Sequence, residues 1–338
     1  MLLIIDGNNV AWAGFHALRR PMGADTPEKK ERAALLGLTQ SVIGLAVRAG
    51  EPPDDGRGRR AGQASMFDAA PRRLTRLVVA FDQGRPLRRR GIYPAYQTGR
   101  EGDPSFMENE RYVLAAIAQF IELSADLPLT VLRGNNTEAD DLISAAAHQA
   151  PEGDVRIAST DKDFLQLVDE RLSIYATVKR LVIDTANFAE AACPRDSAAA
   201  PVVFPRERYL DYRAASGDAS DNLPGIPGVG TLSAARLLAA APLDAYLEDP
   251  SFATEALGRR NARIEAAIAS GEARETVERN RQLMDLRLAA RNYPDLEPYT
   301  TQGRWNELDF RARVKAERIS GLDMETSVAA LTAIAEAR

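Results

Sequence analysis

Histidine and cysteine are nearly missing from this 338-residue chain, which holds two histidines, His16 and His148, and one cysteine, Cys193. A single thiol cannot form an intrachain disulfide, which fits a reducing compartment. Two histidines exclude a histidine-rich metal centre and speak against a Ser-His-Asp triad. Both read as ordinary residues, and His148, late in an expected helix, suits the helix dipole. Long apolar runs are missing too. No segment approaches the roughly 20 apolar residues of a membrane span. The first apolar run, residues 2–5, ends at Asp6 and has no basic flank, so it is not a signal peptide. Lysine is scarce, which leaves arginine to carry most of the positive charge.

Acids, by contrast, recur in a pattern. Nine carboxylates fall in five short blocks, and four of the blocks sit just past apolar, strand-like runs. Asp6 follows Leu2-Leu3-Ile4-Ile5. Asp82 follows Leu77-Val78-Val79-Ala80-Phe81. Glu138, Asp140 and Asp141 follow Leu129-Thr130-Val131-Leu132 after a polar loop. Asp161 and Asp163 follow Val155-Arg156-Ile157-Ala158. Asp218 and Asp221 sit in a Gly-rich turn between two helical stretches. In a parallel α/β sheet the carboxyl ends of the strands share one edge, where sites are built. Acids gathered there repel unless cations bind between them. Hard divalent cations with oxygen ligands meet that need, so the pattern points to a metal-dependent enzyme.

Each block has a plainer reading. Thr137 is a candidate N-cap, and Glu138, Asp140 and Asp141 suit a first helical turn. Thr160-Asp161-Lys162-Asp163 is a similar capping cluster, and Asp6 or Asp82 alone is an ordinary strand-end acid. The shared edge is what these readings leave unexplained.

The formal net charge of −5 conceals a basic stretch: between Arg57 and Arg100 stand eleven arginines against Asp68 and Asp82. A basic region beside an acidic cluster suits an enzyme that grips phosphates and cuts one. Residues 85–100 mix arginines with Tyr93 and Tyr96. Arginine holds phosphates and tyrosine stacks on bases, a combination suited to single-stranded ends. The plain alternative is an exposed basic loop. Residues 217–230 end in Gly-x-Gly before a helix, where glycines let the backbone approach a phosphate and free N–H groups point at it. This reads as a helix-hairpin-helix style grip, blind to sequence. The expected DNA contacts are therefore Arg85, Arg89, Arg90, Tyr93, Tyr96, Gly225, Gly228 and Gly230.

Strands are expected at 1–5, 76–81, 129–133, 155–159, 172–176 and 181–183, and helices at 28–49, 106–124 and 138–149. Strands alternating with helices predict an α/β fold, a mostly parallel sheet with helices on both faces. After about residue 200 the pattern turns helical, with helices expected from Pro205 to Ala215 and over 231–241. The expected division is a nuclease-like α/β domain over 1–200, a helical subdomain over 201–290, and an extension over 291–338 with no assigned role. The loop around 50–75 joins a helix to the start of a strand, so it is expected at the edge opposite the acids.

With these residues in view, the chain resembles the 5′-nuclease family. That family comprises phage flap endonucleases, 5′–3′ exonucleases and the N-terminal domain of bacterial DNA polymerase I. The matching runs are Ile4-Ile5-Asp6-Gly7-Asn8-Asn9, Ala80-Phe81-Asp82, Tyr93-Pro94-Ala95-Tyr96 with Arg100, Glu138-Ala139-Asp140-Asp141, Thr160-Asp161-Lys162-Asp163, and Gly217-Asp218-Ala219-Ser220-Asp221-Asn222-Leu223-Pro224-Gly225. They stand in family order over roughly residues 1–245.

The resemblance implies a PIN-like or resolvase-like sheet and two ions, Mg²⁺ or Mn²⁺, about 4 Å apart. Asp6, Asp82, Glu138 and Asp140 surround the first, with Asp141 close by. Asp161, Asp163, Asp218 and Asp221 surround the second. It also implies an arch over residues 85–112 that takes a single-stranded 5′ end, and a monovalent cation, K⁺, at the 223–230 turn. Arg88, Arg100 and Lys162 are the catalytic candidates among the cations. Relatives usually carry lysine where this chain has Gln97, so that charge is absent or supplied by a nearby arginine. Relatives often have an aromatic or apolar residue where this chain has Thr137.

The implied activity is cleavage of DNA at 5′ ends or flaps for replication or primer removal. It would act in the cytoplasm of a bacterial or phage-infected cell, with no membrane involved. Implied partners are DNA with single-stranded 5′ ends, RNA–DNA hybrids, a replicative polymerase and a single-strand-binding protein. A PIN-type RNase and a non-catalytic DNA-binding protein are the alternatives. The first lacks the 217–230 turn, and the second would be expected to have lost some acids.

Overall fold

The computed structural model describes residues 1–50, 73–102, 104–258 and 260–337. Its main sheet holds β1 (Leu2–Asp6), β2 (Arg76–Phe81), β3 (Thr130–Arg133), β4 (Val155–Ala158), β5 (Leu172–Ala176) and β6 (Leu181–Ile183). A small hairpin follows, β7 (Gly217–Asp218) and β8 (Leu223–Pro224), and β9 (Thr300–Gln302) returns to the main sheet. The strand order is β6-β5-β4-β1-β2-β3-β9. The five inner strands are parallel, and both edges are antiparallel. The chain builds outward from β1 through β2 to β3, then crosses back to add β4 and β5 on the other side. This reversal makes the crevice at the carboxyl ends of β1, β2 and β4 the natural site.

The short apolar runs form strands because both of their faces are buried. On one face Leu3, Ile5, Leu77, Val79 and Phe81 pack with Phe15, Leu38, Ile43 and Phe120 from helices Gly7–Arg19, Pro27–Gly50 and Pro104–Leu123. On the other face Leu2, Ile4, Val78 and Ala80 pack with Leu142 and Ile143 of helix Ala139–His148. The second core continues through Tyr209, Tyr212, Leu237, Ile264 and Val277, so the 201–290 helices share the core of the sheet rather than standing apart from it. No helix among the described residues is long and apolar enough to cross a membrane.

Helix Gly7–Arg19 and strand β9 are among the elements that were not anticipated. Helix Gly7–Arg19 starts directly after β1, with Asp6 as its N-cap. The tail packs onto the sheet: β9 pairs antiparallel with β3, and Phe310, Val314, Val328, Leu331 and Ile334 are buried in the same core as Ile43. β9 has only three residues, all exposed, so it leaves no alternating apolar pattern in the sequence. It covers an edge that would otherwise invite pairing with another chain. Most of the 50–75 loop lies outside the described residues. Arg73 and Arg76 stand at the start of β2, at the end opposite Asp82.

Helices Gly7–Arg19 and Pro27–Gly50 touch backbone to backbone at Gly14 and Gly37. A Cβ on Gly37 would lie 2.4 Å from the Gly14 carbonyl carbon. Gly37→Ala is therefore expected to destabilise by about 1–3 kcal/mol through overpacking. On the same helix, a Cβ on Gly44 would meet nothing nearer than the Arg48 side chain at 3.5 Å. Gly44→Ala should stabilise by roughly 0.5–1 kcal/mol. Urea unfolding of both variants checks the contrast, and equal effects would contradict it.

Candidate metal centre and nucleic-acid cleft

The carboxyl edge of the sheet is assembled by polar side chains that hold the acids in place. Asp6, the last residue of β1, accepts the Asn9 N–H at 3.0 Å through Oδ1 and the Ser159 hydroxyl at 2.7 Å through Oδ2. Asp82 follows β2, and its N–H donates to Asn8 Oδ1 at 2.9 Å. Its Oδ1 accepts the Ala139 N–H at 2.7 Å. Asp82 thus caps helix Ala139–His148 from a neighbouring strand, and Thr137 is not the side-chain cap. The Thr137 hydroxyl instead donates to the Asn135 carbonyl at 3.2 Å. Past β4, the Asp161 N–H donates to Ser159 Oγ at 3.0 Å, and Asp161 Oδ1 accepts the Asp163 N–H at 2.8 Å. Asn9 ties this loop to the first helix through Thr160. Asn8 and Asn9 stand in a matching run but had no assigned role, and Ser159 was not singled out, because neutral side chains leave no charge pattern.

These acids face a cleft of about 800 Å³. Asp6, Asp82, Glu138, Asp140, Asp161 and Asp221 line it, and Arg85 and Arg90 line it as well. Asn8, Asn9, His16, Gln97 and Glu110 add polar groups to the lining, and Trp12, Phe106, Met107 and Leu114 form an apolar side. Trp12 stacks on Phe106 with ring centroids 5.0 Å apart. This aromatic side was also not anticipated, since it joins two helices distant in sequence. A second acid group adjoins the first: carboxylate oxygens of Asp163, Asp218 and Asp221 lie within 4.8 Å of one another. Asp221 belongs to both groups. Asp161, expected with the second group, lines the cleft beside Asp6 and Asp140.

Crowding and burial shift the protonation of these groups. Burial, with the charges of Asp82 and Asp161, lifts Asp6 to about 7. Burial also lifts Glu138 to about 7, aided by Asp141 and Asp82 and opposed by Arg89. Asp140 is pushed well above the carboxylate range by burial and by Asp161, Asp6 and Asp82. Asp163 rises to about 7 through burial, although Arg213 opposes it. Asp218 goes the other way. Burial would raise it, but hydrogen bonds from Ser220 and the charge of Arg213 outweigh that and lower it.

The arginine and tyrosine stretch divides on folding. Arg85 and Arg90 line the cleft. Arg89 does not reach it. It is 3% exposed, ion-paired with Glu138 and Asp141, and its Nε donates to the Leu283 carbonyl at 2.9 Å. A guanidinium with its donors so engaged cannot grip DNA. Asp141, in turn, is spent on Arg89 and lies 3.7 Å from an Arg88 nitrogen, away from the cleft lining. It is better read as a structural counter-ion than a metal ligand. Tyr96 is buried, its hydroxyl 3.1 Å from Glu138 Oε1 and 3.4 Å from Asp221 Oδ2, so its ring is not open to stack on a base. Tyr93 is half-buried, with the Arg279 guanidinium 4.8 Å from its ring centre. Gln97 adopts φ 57°, and its Nε2 donates to Glu138 Oε1 at 3.3 Å and Asp221 Oδ1 at 3.1 Å. Lys162 is exposed and outside the cleft lining. The Arg100 side chain lies outside the described residues.

The 217–230 turn is the β7–β8 hairpin followed by helix Thr231–Ala240. Gly225 serves packing, because a Cβ there would lie 2.5 Å from the Ala215 carbonyl oxygen. Gly228 (φ 87°) and Gly230, the N-cap of the helix, are exposed and able to approach a phosphate. Asn280, fully buried, clamps the turn by donating to the Ala214 and Pro224 carbonyls at 2.9 Å each.

The raised acids have a signed consequence. Asp6, Glu138 and Asp163 hold protons in the folded state up to about pH 7. The unfolded chain releases them near pH 4. The folded state therefore binds more protons between these limits, and this cluster costs stability progressively as pH rises from about 4 to 7. In chelator, the melting temperature should fall more steeply over that window for the native chain than for Asp6→Asn, and saturating Mg²⁺ should remove the excess fall. Differential scanning fluorimetry across pH measures this, and identical slopes would contradict it.

Residues 61–192 match the family profile described as 5′–3′ exonuclease, N-terminal resolvase-like domain. The chain is 31% identical over 240 residues to a thermostable DNA polymerase I of Thermus filiformis, covering 70% of this chain and 23% of the polymerase. It is 31% identical over 287 residues to DNA polymerase I of Mycobacterium bovis, covering 84% and 27%. The chain thus spans about a quarter of the length of these relatives. Its fold is similar to a bacteriophage T5 flap endonuclease solved in a complex with DNA and metal ions. The TM-score is 0.57 at 16% identity, covering 99% of each chain. A T5 5′-exonuclease with bound zinc gives the same TM-score at 17% identity, covering 98% of this chain and 99% of that one. Residues 61–192 thus match the 5′–3′ exonuclease family, and the chain as a whole is related in sequence to bacterial DNA polymerase I.

Proposed function

We propose that this chain hydrolyses DNA phosphodiesters at or near 5′ ends, as a 5′–3′ exonuclease and flap endonuclease dependent on divalent cations. One observation carries the reading: acids from four separate segments of the sheet edge meet Asp221 of the helical region in one cleft. The donors converging there are carboxylate oxygens, a set that suits Mg²⁺ or Mn²⁺. Asp6, Asp82, Glu138, Asp140 and Asp161 would hold one ion, and Asp163, Asp218 and Asp221 a second. Such ions supply Lewis-acid charge to the phosphate and activate a water.

The protein's own groups do the rest. Arg85 and Arg90 meet the phosphates of the entering strand. Arg88, occupied with Asp141, and Lys162, outside the cleft, are weaker candidates for the reacting phosphate. Trp12 and Phe106 offer rings on which an unpaired base can stack. Gly228 and Gly230 receive the backbone of the duplex arm, where carbonyls of the 223–230 turn can hold K⁺. Residues 85–112 form the arch beside the cleft. Domain limits near residues 200 and 290 follow the chain order of these parts. In this reading RNA–DNA hybrids are further substrates, and a replicative polymerase or single-strand-binding protein the partners, in the cytoplasm of a bacterial or phage-infected cell.

Asp161→Asn and Asp218→Asn are each expected to lower cleavage of a 5′-flap duplex by at least about 100-fold, since even outer-shell partners of metal ligands cost 10–100-fold. Binding of the same DNA should persist. Product mapping on flapped, nicked and gapped duplexes, with and without Mg²⁺, reads polarity and metal need together. Full activity in both variants would sink the assignment.

Gln97 places a neutral amide between Glu138 and Asp221. Gln97→Lys adds a charge there and should raise the single-turnover rate by about tenfold, a barrier change of about 1.4 kcal/mol. An unchanged rate would show that the missing charge does not limit the reaction.

A further inference from the structure

The Asp163, Asp218 and Asp221 group already contains a cation, the guanidinium of Arg213. Its Nε donates to Asp163 Oδ1 at 2.7 Å, and one of its terminal nitrogens donates to Asp218 Oδ2. The three side chains are nearly buried, at 11% exposure for Arg213, 14% for Asp163 and 16% for Asp218. The other oxygen of Asp218 is held by the Ser220 N–H at 2.7 Å and hydroxyl at 2.6 Å. An ion drawing on Asp163 and Asp218 therefore meets oxygens that Arg213 occupies.

Arg89 provides the contrast. It also pairs with two acids, but a third anchor, the Leu283 carbonyl, holds it in place. Arg213 has no such anchor. Among the described residues, its guanidinium hydrogen bonds go to the two carboxylates alone. It rises from helix Tyr209–Ser216, whose Tyr209 and Tyr212 fix the backbone in the core. The long side chain can swing while its Cα stays in place.

We propose that Arg213 sets the affinity of this acid group for a divalent cation, holding Asp163 and Asp218 together before the ion binds and competing for the same oxygens when it arrives. This rests on reading the group as an ion site. Its signature is a pair of opposite effects: neutralising Arg213 weakens the metal-free protein and tightens ion binding. A purely structural ion pair would lower stability equally with and without the ion. A residue that only contacts DNA would change neither.

The test uses the full chain without DNA. Mn²⁺ binding is measured by calorimetry and by the electron paramagnetic resonance of free Mn²⁺, and melting is followed in chelator and in saturating Mn²⁺. Arg213→Met should bind Mn²⁺ at this group about tenfold more tightly, the scale of one charge-assisted hydrogen bond removed from competition. It should melt lower than the native chain in chelator, and Mn²⁺ should close most of that gap. Unchanged or weaker Mn²⁺ binding, with the same gap in both conditions, overturns the proposal. If Arg213→Met does not fold, Arg213→Lys decides. A single ammonium cannot reproduce the two-acid bridge, so tighter binding supports the proposal and unchanged binding overturns it. Asp218→Asn separates the two layers. If it leaves Mn²⁺ binding intact, the ion-site reading itself fails. If it removes one class of ions while the Arg213 variants bind like the native chain, the role of Arg213 alone fails.

Discussion

Mutual repulsion among buried carboxylates is the constraint on which the rest of this structure turns. A parallel sheet brings the ends of its strands to one edge, and here those ends carry acids. Burial, with that repulsion added, makes the cluster hold protons and lifts Asp6, Glu138 and Asp163 to about 7. Two arginines answer with charge. Arg89 serves Glu138 and Asp141, and Arg213 serves Asp163 and Asp218. The protein thus holds its acids close with only partial compensation of their charge. Such a cluster costs stability, a trade common at working sites.

The same contacts tie the parts of the molecule together. Arg89 lies on the short helix Leu87–Ile92, yet it reaches Glu138 at the sheet edge and the Leu283 carbonyl at the end of helix Glu272–Met284. Gln166 accepts the Leu286 N–H at 3.0 Å and donates to the Met284 and Asp163 carbonyls. Ser144 donates to the Leu286 carbonyl at 2.6 Å. Residues 283–286 therefore contact Arg89 and the elements bearing Glu138 and Asp163. A shift of the helical region that carries the 217–230 turn would be felt at the acids.

Much of this was legible in the chain. Apolar runs of four to six residues mark strands buried on both faces, and they placed β1 to β6 within a residue or so. The acids after those runs could be grouped because parallel strands must end together. Side-chain direction was not legible. Arg85, Arg89 and Arg90 look alike in the sequence, but Leu87–Ile92 is a helix, so one of the three turns inward and pairs with Glu138 and Asp141. Tyr96 is turned inward in the same way. Helix Gly7–Arg19 was passed over because it follows a strand without a loop. Strand β9 was passed over because three exposed residues carry no period.

By itself the sequence determined the strand-and-helix alternation, the set of acids and the Gly-rich turn, because each depends on local spacing and residue type. Tertiary structure alone decided which acid faces which partner. Asp141 became a counter-ion, Asp221 joined two groups, Asp82 capped a helix from another strand, and Arg213 came to bridge two acids 50 and five residues away in the chain. The reason is physical. Charge interactions depend on distance and burial, and neither is encoded at a single position until the chain has packed.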